Sequence, residues 1–405
     1  MRLVGVGGLA LLVACAPQTG SSTQDLSVEV KHARLMLIRD SAAQMGVYNA
    51  ALVAGIAMSE TGLAHCYSEA PGFSCPGPDS PSCGGPVIAG GADGPCVALQ
   101  GGLGMFQFDA GTYADTLAAY GPDILTVEGN TAQAVSFVID KVILDVATAT
   151  DWMTASDWIN HVPLTAGDPV TEQWAKLLAC RYNGCCSSNA TCSARANGYR
   201  DNAISLYTEM GAEFWTTANR CAALPSDGVI DQRSDCYLAG GDPRYWRREP
   251  GGVGNNVEWT KTTAAALPSN FGRWIIRTGR ATRLHIEVSA AGGASQTARY
   301  VIAHAGTTDT VTVDQSIASG LVPLGDFDFA GSGSEYVMLG DNTGESGVKL
   351  VFDAIRVFAL DGTGPGSDAG GDGPGGGGCA AAGGAVGAIG FVLLAIVSRR
   401  RRPPR

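Results

Sequence analysis

The stretch IAMSETGLAH, residues 56 to 65, carries an apolar, helix-like run into a lone acid, Glu60, followed at once by Thr61 and Gly62. An acid at the end of an apolar helix, half covered by packing, has its charged form disfavoured and keeps its proton toward neutral pH. That is the requirement for a general acid in glycoside cleavage. Two-carboxylate glycosidases need a second acid at a defined distance. Glu69 and Asp109 are the acids nearest in motif context, and Asp109 reads as a helix N-cap or first-turn acid. Solvation is the commoner fate of an acid at a helix end, so the surrounding elements have to decide.

Apolar residues recur at helical spacing at Leu35, Leu37 and Ile38, then at Met45, Tyr48, Leu52, Val53, Ile56 and Ala57, which predicts two helices with a break near Gly46. Residues 66–101 are dense in Gly, Pro and Cys without a period, and read as a long stapled loop. Helical patterning returns over 110–120, 131–149, 171–180 and 198–210. Past Cys221 come short alternating segments, RLHIEVSA, ARYVIAHA, DTVTVDQS, EYVMLGD and VKLVFDAIRVFAL, separated by Gly, Asn and Asp turns. The expected fold class is multidomain: a mainly α domain over 28–222 with the Cys-rich insert 66–101, followed by an all-β sandwich over 229–360. Residues 361–378, DGTGPGSDAGGDGPGGGG, are a flexible linker by composition.

A hydrophobic content of 45% over 405 residues supports folded cores and excludes a disordered chain. The formal net charge of −11 argues against nucleic acid as a partner, because the one dense basic cluster sits at the extreme C-terminus. Arg2 and the apolar stretch Leu3 to Ala14 read as an export signal over residues 1–15. Its end, LVAC, resembles a bacterial lipobox with Cys15 as the lipidated residue. Ordinary cleavage after Ala14-Cys15-Ala16 is the alternative. Residues 16–27 form a Ser, Thr and Gln-rich tether. Setting Cys15 and Cys379 aside, ten cysteines remain, and an even number in an oxidising compartment predicts disulfides of open pairing, with zinc as the rival reading.

The last segment, 379–405, places roughly 19 mostly apolar residues between Cys379 and four arginines, near the minimum for a membrane span. It resembles C-terminal surface-sorting tags of myxobacterial type, which implies processing near Cys379. A plain C-terminal membrane anchor is the alternative.

Two further stretches bear on Glu60. GGLGMFQFDAGTY precedes a helical pattern, and LLACRYNGCC ends another. In this order, SETG, GLGMFQ and YNG resemble the goose-lysozyme-like lytic transglycosylases, with their acid-Ser-Gly helix end, Gly-Leu-Met-Gln turn and Ala-Tyr-Asn segment. The resemblance implies a lysozyme-like helical fold acting on peptidoglycan glycan strands without a cofactor or metal. Glu60 matches the catalytic acid, Gln107 a glutamine lining the cleft, and Met105 the residue packed beside it. Tyr182 matches the tyrosine that orients the acid or the sugar, and Asn183 a substrate-side amide. The sequence departs from the family in Thr61 where Ser is usual, in Phe106 between Met105 and Gln107, and in RYNG for AYNAG. With Glu60 acting alone, the resemblance implies assistance by the substrate's N-acetyl group and closure of the 6-hydroxyl on C1. Hydrolysis is the alternative outcome.

GGDPRYWRRE, RYVIAHAGTTDTVTVDQS, LGDFDF and VKLVFDAIRVFAL resemble the golvesin or xanthan-lyase type C-terminal domain, with landmarks at Gln315, Leu324 to Phe327, and Asp353 to Arg356. That resemblance implies a β-sandwich appended to secreted hydrolases and presumed to bind polysaccharide. Trp246, Trp259 and Trp274 can offer flat faces to sugar or serve as core. Gln315 and Asp353 read as buried hydrogen-bonding residues. The combined expectation is an exported, surface-attached, peptidoglycan-cleaving enzyme, attached to membrane through lipid or the C-terminal helix. The rival is a non-catalytic wall-binding or adhesion protein that keeps the lysozyme-like fold.

Overall fold

The computed structural model describes residues 26–71, 74–90, 96, 101–216 and 221–360. A helical half is followed by a β-sandwich, as the patterning predicts. The helices are α1 (Val28–Gln44), α2 (Ala50–Thr61), α3 (Tyr113–Tyr120), α4 (Val127–Asp145), α5 (Trp152–Asn160), α6 (Pro169–Arg181) and α7 (Ala190–Thr216), the last broken at Gly211. Every residue of α2 from Ala50 to Ala57 is buried. A helix apolar all round belongs in the middle of a core, and α1, α4 and α7 pack about it. Gly55 makes the closest of these approaches possible. A Cβ there would sit 2.7 Å from Ala203 Cβ and 2.9 Å from Ala203 Cα, so α7 lies nearly in backbone contact with α2.

The insert is a small sheet rather than the irregular loop its composition predicts. Strands β1 (Cys75–Ser80) and β2 (Gly85–Gly90) pair antiparallel, and β3 (Gly102–Leu103) adds to β2. CPGPDS and GPVIAG are rich in residues depleted from strands, and the pairing is irregular between Pro76 and Asp79. Val87 and Ala89 of β2 pack into the helical core, and disulfides Cys66–Cys83 and Cys75–Cys96 staple the segment. Helix α5 also escaped the periodicity. Its nine residues are short for a helical period to emerge, and it is fixed by a capping box between Asp151 and Thr154.

Asp109 is not the cap of the following helix. Thr112 caps α3 by accepting from the Asp115 N–H, and Asp115 reciprocates toward the Thr112 N–H, which leaves Asp109 outside the helix accepting from Gly111 N at 2.7 Å. All ten cysteines set aside for pairing are disulfide-bonded. Cys180–Cys186 and Cys185–Cys192 clamp the α6–α7 connection, and Cys221–Cys236 lies in the sandwich core.

The second half contains β4 (Val229–Ile230), β5 (Tyr237–Gly241), β6 (Arg247–Glu249), β7 (Val257–Lys261), β8 (Asn270–Ile275), β9 (Thr282–Ser289), β10 (Ala298–His304), β11 (Thr307–Val313), β12 (Leu321–Phe329), β13 (Tyr336–Gly340), β14 (Lys349–Phe352) and β15 (Ile355–Ala359). One sheet has the order β11-β10-β13-β8-β5, the other β12-β9-β15-β4, and β14-β7-β6 forms a third. Alternating residues such as Leu284, Ile286 and Val288 of β9 and Tyr300 and Ile302 of β10 fill the space between the layers. Gln315 is buried, donating to the Tyr300 hydroxyl at 3.0 Å and accepting from Val351 N at 2.9 Å. Asp353, also buried, accepts from Ser289 Oγ and from Val253 N.

The sandwich rests on the helical half. Arg244 Nη1 donates to the Ala119 carbonyl at 3.4 Å, and Trp152 meets Phe271 edge-on with ring centroids 6.2 Å apart. Among the described residues no helix is long and apolar enough to cross a membrane. Cys15, Cys379, the linker and the C-terminal apolar run lie outside the described residues.

Candidate active site

Three elements bring the expected residues together. Glu60 is the penultimate residue of α2, which Gly62 terminates in the left-handed conformation (φ 63°), its N–H donating to Met58 O at 3.1 Å. Thr61 ties this helix end to the next segment by donating to Met105 O at 3.2 Å. Tyr182 and Asn183 sit at the end of α6, on the turn that the two adjacent disulfides clamp.

Around Glu60 the side chains form a connected network. The Tyr199 hydroxyl, from α7, donates to Glu60 Oε1. Asn183 Nδ2 reaches the Tyr199 hydroxyl at 3.5 Å. Tyr182 donates to Phe106 O at 2.5 Å, and its ring packs edge-on against Phe108, Phe137 and Tyr199. Burial raises the Glu60 pKa above the usual carboxylate range, opposed by the Tyr199 hydrogen bond and the charge of Arg195. A carboxylate at a helix C-terminus also faces the negative end of the helix dipole, which acts in the same direction as burial. Burial, with Glu60's charge, pushes both Tyr182 and Tyr199 well above their ordinary values, so these hydroxyls stay protonated and donate.

Tyr199 was not singled out from the sequence. The available signal was its place one helical turn before Ala203 and two before Leu206, on the buried face of α7. That pattern marks a core residue and says nothing of a carboxylate 139 positions away.

The other candidates divide. Gln107 takes a positive φ of 53° and donates to Gly104 O at 2.7 Å, with its Oε1 lying over Gly90 and Gly102 where any Cβ would clash. Met105 is fully buried in the helical core, so its contribution is packing. Glu69 is committed elsewhere: it pairs with Arg34 at 2.6 Å and accepts from His65 N and Cys66 N at 2.7 and 2.9 Å. Burial opposes its ionisation, but these donors outweigh burial and hold its pKa below the usual range. Asp109 is half-buried, and burial raises its pKa. Among the described residues, no carboxylate stands among the groups that shift Glu60.

His65 supports the turn from beneath. Fully buried, it donates from Nε2 to Leu125 O at 2.9 Å and accepts at Nδ1 from Met105 N at 3.4 Å, which fixes a neutral tautomer. Burial chiefly, with Arg34 acting in the same sense against Leu125 and Glu69, pushes its pKa down to about 4. The unfolded chain therefore binds this proton more readily. Stability from His65 is complete above about pH 6.5 and is lost as pH falls toward 4, by at most about 3 kcal/mol. Denaturant unfolding of the oxidised protein across that window checks this, with His65→Gln expected to flatten the decline.

On the sandwich, Trp274 is wholly buried against Tyr237 and Tyr300 and offers no face to a ligand. Trp246 and Trp259 are half-buried. Trp246 packs on Phe352 and donates to Gly240 O at 3.2 Å, and the Lys349 ammonium lies 5.4 Å from the Trp259 ring centre.

Residues 245–359 match the Golvesin C-terminal domain family. Among solved structures, a Paenibacillus xanthan lyase is similar at 14% identity and a TM-score of 0.28, covering 32% of this chain and 12% of that one. The C-terminal CBM6 of LamC, a marine laminarinase from Zobellia galactanivorans, is similar at 15% identity and a TM-score of 0.22, covering 32% of this chain and 98% of that one. No curated protein matches the chain.

Proposed function

We propose that the protein is an exported peptidoglycan-cleaving glycosidase of lytic transglycosylase type, with Glu60 as acid and base and the sandwich as a polysaccharide-binding module. The observation that carries the reading is the Glu60–Tyr199–Asn183 network at the meeting of the SETG, GLGMFQ and YNG segments. An acid whose protonated form is favoured by burial, and whose orientation is set by a hydroxyl donor, is equipped to protonate a glycosidic oxygen. The C1–O bond of N-acetylmuramic acid then breaks as the N-acetyl oxygen supports C1. The ionised Glu60 takes the proton of the 6-hydroxyl as O6 closes on C1, which returns the acid and leaves an anhydro end. The single-acid course is favoured because Glu69 is held by Arg34 and Asp109 accepts from Gly111 outside the Glu60 network.

Polysaccharide binding by the sandwich follows from its match to the Golvesin C-terminal domain and from the half-exposed Trp246 and Trp259. Attachment to membrane, through lipid on Cys15 or the C-terminal apolar run, follows from the sequence signals. Incubation of the purified protein with sacculi, followed by mass analysis of the released muropeptides, tests the activity. Anhydro ends, one water lighter than hydrolysed ends, are expected. Hydrolysed ends would keep Glu60 and replace the single-acid course, and sacculi left intact would leave the wall-binding reading.

A further inference from the structure

The five-stranded sheet turns its outer face toward the helices. On β8, Gly272 and Trp274 point into the sandwich, so Phe271, Arg273 and Ile275 stand on the outer face. Between that face and α5 lies a cavity of about 200 Å³, walled among others by Tyr48, Trp152, Met153, Arg273 and Arg277.

Arg273 is poorly satisfied for a mostly buried cation. Its guanidinium lies 3.6 Å from the centre of the Tyr336 ring, Nη1 finds only the Met153 sulfur at 3.4 Å, and the buried Nε has no hydrogen-bond partner. Thioether sulfur is a weak acceptor, and buried charges are ordinarily paired. Burial lowers its pKa, and the groups that resist are Tyr336 and Tyr48 rather than carboxylates.

The acids on the cavity wall are directed elsewhere. Glu335 accepts from Ala305, Ala330, Gly331 and Ser332 backbone N–H groups, whereas the Asp157 carboxylate is turned to solvent on α5, 3.4 Å from the His161 ring. Neutral polar groups are also spent: Asn160 serves Tyr48 N and Gly46 O, and Ser156 donates to Met153 O. What the cavity has left to offer is positive charge beside aromatic surface. Trp152 is held in place by its own bond to Met45 O at 3.2 Å.

We propose that this seam cavity is a subsite for a single sugar acid, whose carboxylate is taken by Arg273 and whose ring lies against Trp152 and Tyr48. The volume equals that of about seven waters at their liquid packing, on the scale of one sugar ring with its carboxylate and not of a longer glycan. Arginine presents paired N–H groups matched to a carboxylate. Aromatic faces accept sugar C–H groups. The subsite goes beyond the glycosidase reading and holds whether or not Glu60 is catalytic.

Titration calorimetry on the whole mature protein, with tryptophan fluorescence compared between the unaltered protein and Trp152→Phe, tests this using glucuronate, N-acetylmuramate, glucose and inorganic phosphate. The sugar acids are expected to bind and glucose not. Arg273→Gln should weaken binding by on the order of tenfold to a hundredfold, the worth of a charge-assisted contact. Glucuronate ahead of N-acetylmuramate points to an acidic exopolysaccharide as the source, and the reverse order points to wall glycan. Equal binding of glucose and glucuronate, or phosphate binding as tightly as either sugar acid, overturns the proposal on the unmodified protein alone. Glucuronate binding that survives Arg273→Gln overturns it as well.

Discussion

Glu60→Gln lowers the rate of sacculus clearance by a factor on the order of 10²–10⁴, the usual worth of general acid–base catalysis. Glutamine keeps the shape of the side chain and an oxygen to accept the Tyr199 hydroxyl, but it has no proton to give. The fold should not suffer. A carboxyl whose folded pKa is raised destabilises the native state increasingly as pH climbs above its unfolded value, so at pH 7 the amide is as stable as the acid or more so. For the same reason activity of the unaltered protein should decline as pH rises through the raised pKa of Glu60. Asp109→Asn is the control. Asp109 is occupied by Gly111 N and lies outside the Glu60 network, so its loss should cost far less. Turbidity of sacculi reads the rate, and a Glu60→Gln variant that clears them like the unaltered protein would remove the catalytic assignment.

Gly55→Ala tests the scaffold beneath that site. The added methyl would meet Ala203 at 2.7 Å from its Cβ and 2.9 Å from its backbone N, which is too close for either helix to absorb without moving. Overpacking of this kind costs about 1–3 kcal/mol. Alanine's better helix propensity returns about 1 kcal/mol at most, so a net loss is expected. The displacement falls on α7, which carries Tyr199 one turn before Ala203, so the rate should fall with stability rather than stability alone. Ala203→Gly in the same chain removes the methyl side of the clash and should recover part of both. Thermal unfolding of the two single variants and the double variant measures the coupling. Additive effects would mean that α2 and α7 do not meet as described.

Local pattern determined a good deal here. The apolar, helix-like run up to Ser59 marked a helix, and Thr61-Gly62 marked where it stops, which placed Glu60 at a helix end. Alternation in RLHIEVSA and ARYVIAHA marked β9 and β10, and the even count of the ten internal cysteines predicted disulfides. Each is a property of neighbouring residues, and periodicity or composition reads it directly. Tertiary structure decided what depends on residues distant in sequence. Tyr199 became the partner of Glu60 because Gly55 lets α7 close on α2. Glu69 was removed from the chemistry by Arg34, on a different helix, and Trp274 from glycan contact by Tyr237 and Tyr300. The Pro and Gly-rich insert became a sheet because Val87 and Ala89 pack into the helical core and Cys66–Cys83 and Cys75–Cys96 hold the strands beside it. Pairings of this kind rest on chain closure and packing shape, which leave no period in the sequence.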